Sequence, residues 1–238
     1  MPPHARARTR PRARPSFAAA LLAIVLLVAW IFLIEPALQR AGALPDGGTA
    51  DRPVASSPSL EGIVVADAAS ASPYDRDRFG EAWADVDGNG CDTRNDVLIR
   101  DLADIAFRAD SNGCIVRTGT LADPYTGEVI DFERGPDTSE EVQIDHLVPL
   151  SYAWQHGASE WTADQRVAFA NDPANLLAVA GAANQSKSDS GPGEWMPPSA
   201  AYACAYVAGF TAVLDRYDLT IAPADADAVA RIAAGCPA

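Results

Sequence analysis

The sequence predicts an α+β fold. Short β-prone runs fill the middle of the chain, at Cys114 to Leu121, Glu128 to Phe132, Val142 to Leu147 and Leu176 to Val179. Stretches of helical period flank and interrupt them, and four cysteines, an even number, suit two disulfides. In order, Val97, Leu98, Leu102 and Ile105 recur at helical spacing and predict a helix over Thr93 to Ile105, capped by Asp92 or Thr93. The turn residues Asp123 to Gly127 join the first two β runs into a hairpin. Helices are expected around Tyr152 to Gln155 and over Ala163 to Ala170, between the two later strands, and a short one over Ala182 to Ser188. The tail reads as two helices, Ala200 to Tyr217 and, behind Pro223, Ala224 to Ala234.

The 238 residues carry 18 Lys and Arg against 32 Asp and Glu, a formal charge of −14. Five arginines lie within the first fourteen residues, directly before the uncharged run Phe17 to Ile34. That order is a membrane-targeting signature, and its length falls between that of a retained anchor and that of a signal removed near Ala41 to Ala43, so both readings stay open. Either way the arginines stay inside and the rest is exported. Taking away Met1 to Ala43 removes six arginines and Glu35, leaving 12 basic and 31 acidic residues, a charge of −19. A domain that coats nucleic acid through bulk positive charge is excluded. Residues 44–72 are rich in Ala, Ser, Pro, Gly and Asp and read as a flexible linker, so the folded domain is expected over 73–238.

Export fits the cysteines. Among the three possible pairings, Cys91 with Cys114 and Cys204 with Cys236 each staple a local segment and leave the stretch between undisturbed.

Of three histidines His4 sits in the Arg block, which leaves His146 and His156 for chemistry. His146 follows Asp145 at a strand end; Asn175 opens the next strand; Asn184 lies nine residues on, with Lys187, the only lysine, one helical turn beyond. Phosphodiester hydrolysis needs an activated water and stabilisation of charge on phosphate and leaving group. His146 suits the general base, while Asp145 and Asn184 offer one anionic and one neutral oxygen to a divalent metal ion. Magnesium or manganese is expected first, nickel or zinc next. Lys187, on the same helical face as Asn184, is expected to touch the scissile phosphate.

The Asp-His…Asn…Asn…Lys skeleton resembles the HNH, or ββα-metal, nucleases. With Asp87 to Asn95, Val142 to Pro149, Phe169 to Val179 and Tyr202 to Tyr206 it is similar to exported actinobacterial HNH-family proteins, a group akin to the C-terminal nuclease domain of GmrSD-type restriction enzymes. The resemblance runs from about Tyr74 to Cys236. It implies a ββα-metal core with inserted helices, a nucleic-acid substrate (DNA, with RNA open), a monomer that meets the membrane only through its N-terminus, and a bracing role for Asn175.

Twenty-nine residues separate His146 from Asn175, so a lobe with Trp154, His156 and Trp161 is inserted there. The two tryptophans read as core and His156 as a solvated loop residue. Asp85, Asp87, Asn89 and Asp96 stand at positions 1, 3, 5 and 12 of a calcium-type loop with Gly90 sixth. A tight turn capping the following helix is the plainer reading, and calcium at a second site the rival. Arg94 and Arg100 read first as salt-bridge partners, with an approach to a phosphate as the alternative. The alternative to an enzyme is a non-catalytic extracellular binding module, stabilised by calcium on the same fold.

Overall fold

The computed structural model describes residues 58–70 and 72–237. The apolar run Phe17 to Ile34, with the choice between anchor and signal, lies outside the described residues. Among the described residues no helix is long and apolar enough to cross a membrane. Residues 58–70 fall in the stretch read as a linker, yet they are laid along the domain. Val65 bridges Ile221 in parallel, the Ala66 amide donates to the Ile221 carbonyl at 2.9 Å, and the Ala69 amide donates to the Gln155 carbonyl at 3.0 Å.

The elements are α1 (Thr93–Asp101), β1 (Leu102–Phe107), β2 (Val116–Ala122), β3 (Val129–Glu133), β4 (Val142–His146), α2 (Leu150–Gln155), α3 (Ala163–Ala170), β5 (Leu176–Ala180), α4 (Gly181–Lys187), α5 (Ala203–Arg216) and α6 (Pro223–Ala233). Strands β1, β2 and β3 form an antiparallel sheet in that order, and β4 pairs antiparallel with β5. Both expected disulfides are present, Cys91 to Cys114 and Cys204 to Cys236. They close loops of 23 and 32 residues, each contributing about 3 kcal/mol through the unfolded chain.

The first helix departs from expectation. The helix from Thr93 stops at Asp101 rather than Ile105, and Leu102 already has extended dihedrals, φ −94° and ψ 144°. β2 offers this segment a ladder, with Leu102 opposite Leu121 and Phe107 opposite Val116. Gly119 lets Leu102 close in, since a Cβ there would stand 2.9 Å from its side chain. Tertiary pairing thus overrides a local period. His156 also departs from expectation. It is buried, stacks on Tyr152 with centroids 4.3 Å apart, and its Nδ1 meets Thr220 Oγ1 at 2.9 Å. The chain turns back at Gly157, φ 137°, and the Thr220 segment covers the ring. Trp154 is buried, and Trp161 packs against the same core, as the sequence suggests.

Two cores flank the β4–β5 pair. Val142, Ile144, Leu176 and Ala178 join Leu98, Leu121 and Phe132 on one side, while Leu177 and Val179 join Tyr206, Phe210 and Val213 on the other. β5 is buried along its whole length, and side chains close its free edge. The Ala178 amide donates to Asp101 Oδ2 at 2.9 Å and the Ala180 amide to Asp123 Oδ1 at 3.0 Å; Arg100 Nη2 donates to the Leu176 carbonyl at 2.7 Å. Such an edge is safe from strand addition. Arg100 also pairs with Asp101, so its role is structural.

Candidate functional site

Successive side chains on a strand face opposite ways, and the end of β4 uses this to separate Asp145 from His146. At Gly181, the start of α4, an added Cβ would stand 1.9 Å from the Glu140 carbonyl, so only glycine lets the helix begin this close to the strand. α4 then lies over the face of β4 that carries Gln143 and Asp145. Asn184 Nδ2 donates to Gln143 Oε1 at 2.9 Å. One turn on, Lys187 Nζ donates to Asp145 Oδ1 at 2.9 Å and to the His146 carbonyl at 2.7 Å. The second carboxylate oxygen, Oδ2, accepts from Tyr125 Oη at 2.5 Å. Lys187 is wholly buried and Asp145 nearly so. Burial pushes the Asp145 carboxyl up and the Lys187 ammonium down, and the attraction between them opposes both shifts. Burial first, then the Asp145 charge, holds the Tyr125 hydroxyl far above its ordinary range, so it stays a donor. The ammonium of Lys187 therefore faces a carboxylate within the protein rather than solvent.

Asn175 is fully buried between the strands. Its Oδ1 accepts from the Val148 amide at 2.9 Å, its Nδ2 donates to the Val148 carbonyl at 3.2 Å, and its own carbonyl accepts from the Leu147 amide at 2.8 Å. This two-way clasp fixes the chain immediately after His146.

On the opposite face of β4, His146 Nε2 lies 2.8 Å from the Ala170 carbonyl. A carbonyl only accepts, so Nε2 carries the proton in the neutral ring and the lone pair sits on Nδ1. No described group bonds to Nδ1. Trp83 stacks on the ring, centroids 6.2 Å apart and planes 15° from parallel. Burial lowers the His146 pKa to about 4, the Ala170 bond opposing and the Arg76 and Lys187 charges assisting. The ring is neutral at physiological pH. It lines a cavity of about 30 Å³, together with Arg76, Trp83, Ala170 and Asn171. Of these wall residues, the sequence pattern singled out only His146; Arg76 and Trp83 lie far upstream, and nothing in their local sequence marks them.

The loop Asp85 to Asp96 does gather its side chains, but around donors of its own. Asn89 Nδ2 donates to Asp87 Oδ2 at 3.0 Å and Asp96 Oδ1 at 3.1 Å, and the Gly90 amide donates to Asp85 Oδ2 at 2.9 Å. Among the described residues, no group of three or more His, Cys, Asp or Glu side chains is placed to hold a metal ion. The sequence offers Asp145 and Asn184 for the divalent ion that an HNH-type nuclease implies. As arranged they do not fit one: both oxygens of Asp145 have donors, and a buried ammonium stands against the carboxylate where a second cation would be repelled.

Comparison with known proteins agrees with this region of the chain. The family model described as "GmrSD restriction endonucleases, C-terminal domain" matches residues 92–232. An "Uncharacterized secreted protein" of Arthroderma benhamiae is 36% identical over 179 residues, which cover 74% of this chain and 82% of that protein. No solved structure matches. The match spans both sheets, β4 and β5 with His146 and Asn175 between them, and α4 to α6; the chain belongs to the family of GmrSD restriction endonuclease C-terminal domains.

Proposed function

We propose that the protein is an exported endonuclease that hydrolyses phosphodiester bonds of nucleic acid, DNA foremost, with His146 as general base. The carrying observation is the bond from His146 Nε2 to the Ala170 carbonyl, which leaves the Nδ1 lone pair free beside a cavity. A base held in one tautomer and one orientation is ready to take a proton from water without rearrangement. Arg76, an exposed residue, is the one Lys or Arg among the residues lining that cavity, which supports a role for it in meeting a phosphate oxygen. For a domain of such negative charge, this local cation is what makes a nucleic acid approachable.

Two antiparallel strands followed by a helix, with His146 ending the first strand and Asn175 bracing its exit, support the HNH reading of the fold. Two disulfides and a relative named as secreted support export. The test is nicking of supercoiled plasmid, and cleavage of single-stranded DNA and RNA, by the purified protein in magnesium, manganese, nickel or zinc. Wild type is expected to cut and His146→Ala to lose at least about a hundredfold in rate. Undiminished cleavage by His146→Ala removes the mechanism.

A further inference from the structure

The cavity beside His146 has a second polar wall. Asn171 caps the C-terminal end of α3 and is 1% exposed. Its Nδ2 donates to the Val167 carbonyl at 2.9 Å, which fixes the amide: flipped, two oxygens would face each other. Oδ1 is therefore turned away from the helix. It is buried and accepts from no described group. A buried acceptor left unpaired costs about 1–3 kcal/mol. Among the described residues Arg94 Nη1 and Tyr206 Oη are also buried without partners, but of the three residues Asn171 is the one that lines the cavity beside His146, where a donor from outside the chain can reach it.

His146 Nδ1 is an acceptor in the same position. Both residues line one cavity of about 30 Å³, and a water needs about 10–15 Å³. Two unpaired acceptors on residues of one cavity suit a molecule that donates twice, which water does and a phosphate oxygen does not.

We propose that Asn171 is a positioning residue of the hydrolytic site, its Oδ1 and His146 Nδ1 together holding the water that attacks phosphorus. This rests on the nuclease reading above and adds the residue that aims the nucleophile. One O–H points at Nδ1 and the other at Oδ1, so a lone pair of the water oxygen faces out of the cavity toward substrate. In the reaction the water oxygen bonds to phosphorus and the bond to the leaving sugar oxygen breaks with its electron pair. The proton facing Nδ1 passes to His146, and the leaving oxygen takes a proton from bulk water. The proton on Asn171 Oδ1 stays with the new phosphate.

The test pairs a high-resolution crystal structure of the full-length wild type with the kinetics of Asn171→Leu, an apolar side chain of similar size. A water within about 2.7–3.2 Å of both Oδ1 and Nδ1 is expected; a structure without it, or with a water on only one of the two, overturns the proposal. In Asn171→Leu, kcat is expected to drop about tenfold or more with KM and Tm held, because an aiming contact acts on the transition state and not on substrate binding. An unchanged kcat overturns it. Should the variant fail to fold, the wild-type water decides alone. Full activity in Asn171→Leu with none in His146→Ala sinks this inference and leaves the nuclease reading standing; a wild type that cuts nothing sinks that reading itself.

Discussion

Asp145 and His146 are neighbours in the chain, yet their surroundings obey opposite rules. On the Asp145 face the charged groups are paired inside the protein: Lys187 and Tyr125 both donate to the carboxylate, and the ammonium also donates to the His146 carbonyl. On the His146 face one nitrogen is tied and the other is free, the neighbouring amide oxygen has no donor, and the cavity reaches an exposed arginine. A closed network makes structure and an open one makes a site. The strand's two-residue period puts both within one peptide bond, so the Asp145 cluster can hold rigid the base proposed on the opposite face.

The largest effect expected is catalytic. His146→Ala, at the open face, should cost a hundredfold or more in nicking rate while leaving far-ultraviolet circular dichroism and Tm near wild type. The closed face should respond the other way. Lys187→Met leaves a buried carboxylate without its cation, and Asp145→Asn leaves a buried ammonium without its anion. Breaking a buried pair from either side costs about 3–5 kcal/mol, read as a fall in urea midpoint. The double variant Asp145→Asn with Lys187→Met should recover a good part of that loss, because no lone charge remains. The division would break if Asp145→Asn kept its stability and lost its activity, or if magnesium raised the wild-type Tm and failed to do so in Asp145→Asn. Either result would put the carboxylate in the chemistry and an ion beside it.

How legible each face was from sequence follows from the same division. The hairpin, the β4 and β5 strands, the helices around them and both disulfides could be read because local signals agreed with the final packing: turn residues at Asp123 to Gly127, alternation before His146, proline before α6. The helix from Thr93 was over-extended because the competing interaction, pairing of Leu102 with Leu121, is invisible until β2 is placed. The bracing role of Asn175 is legible only through the family resemblance, which implies it. Helical spacing alone suggests a phosphate contact for Lys187. Spacing puts it on the face of Asn184, but depth is set by how closely α4 approaches β4, which depends on Gly181 and on Glu140 across from it. Arg76, Trp83 and Asn171 come to the cavity from segments about seventy residues upstream and twenty-five downstream of His146, and no single sequence orders such a meeting.

A third prediction concerns pH and is smaller. Folded His146 has a pKa of about 4 because it is buried, while in the unfolded chain it returns to about 6.5. Between these values the unfolded chain holds a proton that the folded one does not, so stability falls as pH drops from 6.5 through 4 and is unaffected by this group above 6.5. Over the whole window the loss is about 3 kcal/mol. Urea melts at pH 7 and pH 4.5 should show it in wild type and a much shallower change in His146→Gln. Activity has the same sign but a different midpoint: the base keeps its lone pair until the folded pKa, so the acid limb of kcat should fall near pH 4. A limb near 6.5 would mean the ring is wet in the working enzyme, and the open face more open than its burial indicates.

The smallest effect separates dryness from tautomer. Trp83 lies half-buried against the imidazole, while the Ala170 carbonyl ties Nε2 from another direction. Replacing Trp83 by Ala admits water to the ring without touching that hydrogen bond, so the penalty on the charged form shrinks and the His146 pKa should climb from about 4 toward 6.5. The imidazole carbon-bound proton reports this directly by NMR titration, and the acid limb of kcat should move with it. At neutral pH the ring remains mostly unprotonated and the lone pair remains on Nδ1, so the rate there should change by less than about tenfold. Were the pKa to stay near 4, burial by β4 and α3 would suffice to keep the base neutral, and the stacked indole would serve the substrate instead. A loss as deep as that of His146→Ala would tie the tautomer itself to the indole, and the division between a tethered nitrogen and a free one would have to be drawn again around Trp83.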